Sequence, residues 1–426
     1  MLLRLTDGTT TLTLSGAGAY LGATYFPTTQ ASGERITESA VLTLEGTEAA
    51  VRAAAGAVDT LLRYAPDAGE RARPPLYVEF RPIDSGEVRR ARVYGGFTNW
   101  SQLPAERFLG GSLNTVRLVA TWERADGWQG AEVELPLASG TQTERTGGVA
   151  VYNNDNATTS TNWAAVAGAN ILGTRPAPIR LRITNASGGA LQWETFHVGY
   201  NAFSAPGSAD LWLLGSEAAG GASKSWSAGV THSSLQWLFA LSGTLLAQTQ
   251  GRTFRVLAAF TSLSSSATLR ASVGTYINPV YIAARAGGER NGVRELVDLG
   301  QFAIPPGGYD TGNAGAALAI TVRAAAGGSG VLDFVMLMPT DAYRKLEQNG
   351  FAAANGEALE VDDIDGGAWL LSGSNRLSIV RASGEGLRVF PGRDGRLYIL
   401  FDEGANFVAG RQMTVQAWYR PVYDNV

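Results

Sequence analysis

The 426-residue sequence contains no cysteine and only two histidines, His197 and His232. The missing cysteine excludes a disulfide scaffold, a cysteine-ligated zinc site and a thiol nucleophile. Two histidines leave little for metal binding or for general-base chemistry. These absences remove several classes of enzyme and metalloprotein before any motif is considered.

Charge and long apolar runs are also scarce. Charged residues make up 17% of the chain, below the roughly 25% that is typical of soluble domains, and the formal net charge is −4. This near-neutral balance argues against a protein that coats nucleic acid or reads its sequence. No apolar run approaches the roughly 20 residues of a membrane helix. The first residues also lack the basic and apolar regions of a secretory signal, so we expect no membrane insertion.

The sequence is rich in glycine, with 53 residues, and in short segments that alternate between apolar and polar residues. In these segments every second residue is apolar, which predicts half-buried strands. The clearest of them are residues 76–80, 115–123, 179–183, 397–401 and 413–419. The predicted fold class is therefore mainly β.

One helix stands out against this β background. Thr47 can cap a helix that runs from Glu48 to about Tyr64, because apolar residues recur there at helical spacing. Residues 341–348 allow a second, shorter helix, which would end before Asn349.

Composition divides the chain into three parts. Residues 1–145 hold the clear helix, residues 146–340 are rich in small and polar residues, and residues 341–426 return to strand and turn. Eighty-odd residues that end in isolated strands make a poor independent unit. We therefore expect residues 341–426 to pack with the N-terminal domain and residues 146–340 to form an inserted β-sandwich.

Motifs that carry chemistry are weak. The glycine-rich residues 16–22 are not followed by the helix start that a phosphate-binding loop needs. Asp362, Asp363 and Asp365 lack the spacing of a calcium loop, which favours an Asp–Gly turn over a Ca²⁺ site. Residues 153–156 offer further oxygen ligands, and an Asn-rich turn is the alternative interpretation.

Catalytic groups are not found either. The sequence has no Gly-x-Ser-x-Gly elbow, both histidines are interpreted as structural, and no carboxylate pair for glycoside hydrolysis stands out. We therefore predict no catalytic residue, no metal and no cofactor.

Aromatic residues give the one candidate binding site. Indoles on the surface of a sandwich can stack on sugar rings, whereas indoles in its core only pack. The sequence context of Trp193 and Trp237 indicates core positions, and the serines around Trp226 indicate exposure. Trp163 and Trp226 are therefore the candidate glycan-binding residues.

The order of the segments resembles bacteriophage distal tail proteins of long-tailed phages. The segments that carry the resemblance cover the N-terminal third and about the last quarter of the chain. They are the strand–helix unit at residues 38–62, the strand at 75–82, residues 116–130 with 134–137, and the ending at 395–401 with 413–423.

The resemblance implies a structural protein of the virion, located at the phage tail tip and assembled in the host cytoplasm. Its N-terminal β domain would form a ring, commonly of six copies, as part of a baseplate. Its partners would be further copies, the tail tube and tape-measure proteins, and tail hub or fibre proteins.

The resemblance also implies that the middle segment is an additional domain, a jelly-roll-like sandwich similar to a carbohydrate-binding module. Host glycans would be its ligand. Two alternatives stay open beside the structural subunit: a carbohydrate-binding tail protein that contacts host surface glycans, and a tail enzyme that degrades them.

Overall fold

The computed structural model describes all residues except 28–34, 66–73, 84–85, 101–113, 155–160, 203–210, 233, 242, 278–279, 287–289, 292–295, 305–314, 404–406 and 425–426. The chain forms two compact units. Unit 1 comprises Met1–Val133, Leu172–Ala177 and Arg420–Val426, and unit 2 comprises Glu134–Ile171 and Pro178–Tyr419. The structure is mainly β, as predicted.

Unit 1 contains a nine-stranded antiparallel sheet. Its strands are β1 (Leu2–Thr6), β2 (Thr11–Thr13), β3 (Tyr20–Tyr25), β4 (Arg35–Gly46), β5 (Leu76–Arg81), β6 (Arg89–Trp100), β7 (Asn114–Ala125), β8 (Trp128–Gln129) and the last strand of the chain, β32 (Val422–Tyr423). The main path runs β2-β1-β5-β6-β7-β4-β3, and β8 pairs with β6 and β32. Strands β2 and β3 therefore lie at the two ends of the path.

Helix α1 (Glu48–Arg63) packs on one face of this sheet and confirms the predicted helix. The Thr47 hydroxyl caps it by accepting a hydrogen bond from the Ala50 amide at 3.3 Å. Asp59 accepts hydrogen bonds from the amide and hydroxyl of Thr98 on β6, at 3.0 and 2.9 Å. Burying a Val or Leu side chain stabilises the fold by about 1.5–3 kcal/mol, and the helix buries Val51, Val58 and Leu62, together with the smaller Ala55.

The first part of unit 2 contains two sheets. Their strands are β9 (Val133–Leu135), β10 (Val149–Asn153), β11 (Trp163–Val166), β12 (Ala177–Asn185), β13 (Leu191–Ala202), β24 (Tyr343–Ala353), β25 (Ala358–Asp362), β26 (Ala368–Ser372), β27 (Asn375–Ile379), β28 (Arg381–Gly386), β29 (Arg388–Val389), β30 (Gly395–Asp402) and β31 (Arg411–Tyr419). The eight-stranded sheet follows the path β10-β31-β12-β25-β26-β27, with β29 on β12 and β9 on β31. The five-stranded sheet follows the path β11-β30-β13-β24-β28.

The second part of unit 2 contains two further sheets, with paths β14-β23-β17-β21 and β16-β22-β18-β19. The elements here are β14 (Trp212–Leu214), β15 (Ser223–Trp226), β16 (Gln236–Leu241), α2 (Gly243–Thr249), β17 (Thr253–Leu263), β18 (Ala267–Ile277), β19 (Val280–Ala286), β20 (Arg290–Asn291), β21 (Leu296–Ala303), β22 (Gly315–Ala324) and β23 (Gly328–Pro339). Buried side chains of both sheets share one core, for example Phe254 with Phe239. This part is therefore a β-sandwich.

The expected boundaries at residues 145 and 340 differ from this arrangement. Strand β31 pairs with β10 and β12, and β30 pairs with β11 and β13, so most of the C-terminal segment completes unit 2 and not the N-terminal domain. Of its described strands, β32 pairs in the unit 1 sheet. The reason is that central strands such as β12 need a partner on both sides, and β31 and β25 supply them. The inserted sandwich is correspondingly narrower, from Trp212 to Pro339.

The second predicted helix, at residues 341–348, is wrong. Strand β24 occupies this region and pairs with β13 and β28. Tertiary pairing overrides the weak helix propensity of such a short segment, because Tyr343 and Leu346 are buried on the strand.

Candidate functional site

Unit 1 carries most of the exposed large hydrophobic side chains that the structure describes. Exposed apolar patches of some size mark interaction sites in soluble proteins. Leu377 and Ile379 are the two such side chains described in unit 2. Ten belong to unit 1, the smaller unit: Met1, Leu21, Phe26, Tyr64, Ile83, Val88, Phe97, Trp100, Val133 and Leu172.

Strand β3 places two of these side chains at an edge of the sheet. In the described part of unit 1, β3 pairs with β4 on one side and ends the path of the sheet. Leu21 is 57% exposed, and Phe26, directly after the strand, is 81% exposed. The edge of a sheet presents backbone amides and carbonyls that can pair with another chain. The β3 edge therefore combines backbone hydrogen-bonding groups with apolar side chains, as a subunit contact requires.

A row of uncharged side chains continues from this edge across the outer face of the sheet. Phe97 of β6 lies opposite Thr121 of β7, which lies opposite Ser39 of β4. The Ser39 and Thr121 hydroxyl oxygens are 2.9 Å apart, which places both side chains on the same face. The side chains of this row carry no charge, so packing another surface against them would avoid the large desolvation penalty of burying an ion. The β3 edge and the Phe97 row together form the candidate assembly surface.

The interior of the same sheet contains a buried ion pair. Arg124 donates hydrogen bonds to both carboxylate oxygens of Glu38, at 2.7 and 2.6 Å, and its guanidinium carbon lies 4.5 Å from the ring centre of Trp128. The Tyr25 hydroxyl also donates to Glu38. Burial, followed by the Glu38 charge, raises the pKa of Tyr25 well above its usual range. The Tyr25 hydroxyl, the Glu38 carboxylate and the Arg124 guanidinium form hydrogen bonds with one another inside the sheet.

The two predicted glycan-binding residues lie against the core of the sandwich. Trp226 is 8% exposed, so the predicted exposure is wrong. A Cβ at Gly328 would lie 3.2 Å from its indole, which shows how closely the neighbouring strand approaches. Alternation explains the error, since the flanking serines of β15 face outward while Trp226 faces inward. Trp163 is half-buried against the same core, and the Arg396 guanidinium carbon lies 4.1 Å from its ring centre.

Another face of unit 2 displays half-buried indoles. On the eight-stranded sheet, Trp418 of β31 lies opposite Arg180 of β12. The adjoining row crosses five strands, which at about 4.8 Å per strand gives about 19 Å, the length of several sugar rings. The residues of this row are Gln416, Arg182, Glu360, Trp369 and Ile379.

Charged groups on this face are held in place beside the indoles. Arg182 donates to one oxygen of Glu360 at 2.8 and 3.2 Å, and Arg180 lies 3.9 Å from the same oxygen. Their guanidinium carbons lie 5.7 and 4.8 Å from the ring centre of Trp418. An indole beside fixed hydrogen-bonding groups is the arrangement that binds sugar rings. We call Trp418, Arg180, Arg182, Glu360 and Trp369 the Trp418 face.

A signal for Trp418 was present in the sequence. Strand β31 alternates, with Met413, Val415, Ala417 and Tyr419 buried, so the opposite phase places Trp418 outward. The predicted glycan site was confined to tryptophans of residues 146–340, and Trp418 lies outside that segment. Glu360 and Arg182 come together through strand pairing, for which no local signal exists.

The acidic segment forms a turn, as predicted. One carboxylate oxygen of Asp362 accepts hydrogen bonds from the amides of Ile364 and Asp365, at 2.9 and 3.0 Å. Burial raises the pKa of Asp362 to about 6. Asp363 bonds to Arg344 and to the Leu387 amide. No group of three or more metal-ligating side chains occurs among the residues that the structure describes.

The Asn-rich segment also has a structural use in its described part. The Asn153 amide donates to the carbonyls of Phe401 and Val408, at 2.9 and 3.0 Å. Asp155 and Asn156, two further predicted oxygen ligands of this segment, lie outside the described residues.

Both histidines have hydrogen-bond partners inside unit 2. His197 is buried on β13, with Nδ1 2.8 Å from the Tyr343 hydroxyl, and burial lowers its pKa to about 4. The Nδ1 atom of His232 lies 2.9 Å from the Thr321 hydroxyl. The buried position of His197 on a central strand agrees with its predicted structural role.

Comparisons with known proteins give little beyond this geometry. No family model matches the chain, and no curated protein matches it. Among solved structures, the chain is similar to the SPP1 Dit (gp 19.1) protein, described as a paradigm of the hub adsorption apparatus in phages that infect Gram-positive bacteria. The two are 8% identical over 99% of each chain, with a TM-score of 0.32, which is too low to carry an argument. No helix in the described ranges is long and apolar enough to cross a membrane.

Proposed function

We propose that this chain is a structural subunit of a bacteriophage tail tip, a distal-tail or baseplate-like protein that assembles with copies of itself. The observation that carries the proposal is the candidate assembly surface of unit 1, where Leu21 and Phe26 are exposed along an edge strand. The sequence resemblance to distal tail proteins supplies the kind of particle. The subunit acts by binding and positioning its neighbours, without catalysis.

In this proposal unit 1 forms a closed ring, commonly of six copies in the proteins that the sequence resembles. A ring needs two different surfaces that meet head to tail, since a self-complementary surface would stop at a dimer. The candidate assembly surface, made of the β3 edge and the Phe97 row, supplies one of these surfaces and meets a different surface of unit 1 in the next copy. The ring joins the tail tube and tape-measure proteins on one side to the hub or fibre proteins on the other.

Imaging of purified particles tests the location. Gold-labelled antibodies against the chain are expected to bind the tail end farthest from the capsid. Labelling along the tube or on the capsid would contradict the position, and absence of the chain from purified particles would refute the virion role.

A second candidate function is glycan binding by unit 2, and the Trp418 face favours it. Trp418→Ala removes the stacking surface and is expected to weaken binding of host surface polysaccharide about tenfold. Trp163→Ala is the matched control, because its indole already packs on the sandwich core. Loss of binding in the Trp163 variant alone would move the site back to Trp163. A wild-type chain that binds no host polysaccharide would remove this candidate.

A further inference from the structure

Four arginines surround one glutamate on the outer face of the unit 1 sheet. Arg4 of β1 lies opposite Glu79 of β5, and Glu79 lies opposite Arg90 of β6. Arg81 follows Glu79 by two residues and Arg92 follows Arg90 by two, so strand alternation places both on the same face. A nitrogen of the Arg4 guanidinium is 3.8 Å from the Glu79 carboxylate.

Aromatic rings support these guanidinium groups. The guanidinium carbon of Arg90 lies 4.0 Å from the ring centre of Tyr77. Tyr94 lies under two more, with Arg35 at 4.3 Å and Arg92 at 5.6 Å from its ring centre. Stacking on a ring restricts the motion of a guanidinium and favours ordered, planar recognition of an anion.

Arg35 extends the cluster and brings one more carboxylate, since it forms an ion pair with Glu123 at 3.2 Å. We call this set the arginine face: Arg4, Arg35, Arg81, Arg90, Arg92, Glu79 and Glu123. It carries an excess of three positive charges in a chain whose net charge is −4. Clustered guanidinium groups on one face give that face a positive potential, which attracts a partner surface of opposite charge.

We propose that the arginine face binds an acidic surface of a partner protein through arginine–carboxylate pairs. Arginine and tyrosine are enriched at protein–protein interfaces while lysine is depleted there, and this face contains no lysine. Glu79 stands among the arginines, where it would repel a continuous phosphate backbone but still accept hydrogen bonds from a protein. A chain of net charge −4 also gives no long-range attraction for nucleic acid.

This surface is distinct from the candidate assembly surface. Most of the arginine face lies on β1, β5 and the first half of β6, and its Arg35–Glu123 pair joins β4 to β7 beside the Phe97 row. Leu21 and Phe26 lie at the β3 edge, away from Arg81 and Arg92. The inference therefore goes beyond self-assembly, and either proposal can fail while the other stands.

Binding of acidic polymers by the full chain tests the proposal. The probes are poly-L-glutamate and a DNA duplex of matched total charge, measured over a series of salt concentrations. The double variant Arg81→Gln/Arg92→Gln removes two of the guanidiniums, and we expect its affinity for poly-L-glutamate to fall about tenfold with a weaker salt dependence. Arg52→Gln is the matched control, because Arg52 lies on helix α1 in an exposed pair with Glu48, and should bind as the wild type does.

Three outcomes would overturn the proposal. The first is a wild-type chain that does not bind poly-L-glutamate at low salt. The second is a double variant with native circular dichroism whose affinity is unchanged. The third is tighter binding of the DNA duplex than of poly-L-glutamate, which would assign the face to nucleic acid.

Discussion

The two units differ in how many large apolar side chains they expose to solvent. Unit 2 exposes Leu377 and Ile379 in its described part, both on strand β27, and its other described large hydrophobic side chains are buried or half-buried. Unit 1 is smaller and exposes ten such side chains among its described residues. A unit that leaves this much apolar surface in water is suited to be covered by another molecule. The difference supports the proposal that unit 1 makes the subunit contacts.

Their buried polar groups differ as well. Unit 1 pairs Glu38 with Arg124 inside its sheet. Unit 2 buries His197 beside Tyr343 and Asp298, and Arg255 holds Asp298 at 2.8 and 2.9 Å. Variants at these groups perturb one unit at a time, which allows the stability of each unit to be measured separately.

The largest effect is expected from Arg124→Leu, which leaves the Glu38 carboxylate buried without its counter-charge. We expect the free energy of unfolding of unit 1 to fall by about 3–5 kcal/mol. Arg35→Leu breaks the exposed pair with Glu123 and should change it by about 1 kcal/mol or less. Urea denaturation of both variants measures the difference. Equal losses would show that burial of the Glu38 pair does not matter.

The next effect is a pH dependence of unit 2. Burial lowers the pKa of His197 from 6.5 to about 4. Between these values the unfolded chain binds a proton that the folded chain does not bind. The free energy of unfolding therefore falls as the pH falls from 6.5 to 4, by on the order of 3 kcal/mol from this group. His197→Gln, measured by urea denaturation at several pH values, should lose this part of the slope.

Comparing the variant with the wild type isolates His197 from the other groups that titrate in acid. The charged groups around it are Asp298, Lys345, Arg255 and Glu347. Asp362 has the opposite effect on the free energy of unfolding. Burial raises its pKa from 3.8 to about 6, so between these values the folded chain binds a proton that the unfolded chain does not bind. An identical slope in variant and wild type would show that His197 is not the group responsible.

A smaller effect concerns the support of the Trp418 face. Gly367 has a φ of +128°, and a Cβ there would lie 2.3 Å from the indole of Trp369. Gly367→Ala should lower the free energy of unfolding of unit 2 by about 2 kcal/mol and displace the ring. Gly366→Ala has a similar positive φ, +88°, but open space around it, so about 1 kcal/mol is expected. Denaturation and Trp fluorescence of both variants test this, and equal losses would contradict the close packing of Trp369.

Local patterns predicted the local structure well. The capping residue Thr47 and the apolar spacing placed helix α1, and alternation placed strands such as β5 and β31. These signals work because they depend on residues that are close in sequence. The prediction of a second helix at residues 341–348 was wrong, because pairing of β24 with β13 decides the conformation there.

Local sequence patterns could not predict which distant strands pair with each other. The division at residue 340 was wrong because β30 and β31 pair with β13 and β12, which lie about two hundred residues or more earlier in the chain. Many residues of the candidate sites are likewise brought together by pairing between distant strands. The Trp418 face and the arginine face arise from strand register, and the exposed edge at Leu21 and Phe26 arises from the order of strands in the sheet.

The mass of the assembled chain in solution tests most directly whether the subunit contacts lie in unit 1. Native mass spectrometry and light scattering of the wild type should give a closed oligomer, and Leu21→Ser/Phe26→Ser in unit 1 should give a monomer with unchanged stability. Ile379→Ser removes an equally exposed apolar side chain from unit 2 and should leave the oligomer intact. A wild type that is monomeric at every concentration, or an oligomer lost with Ile379→Ser and kept with Leu21→Ser/Phe26→Ser, would contradict assembly through unit 1.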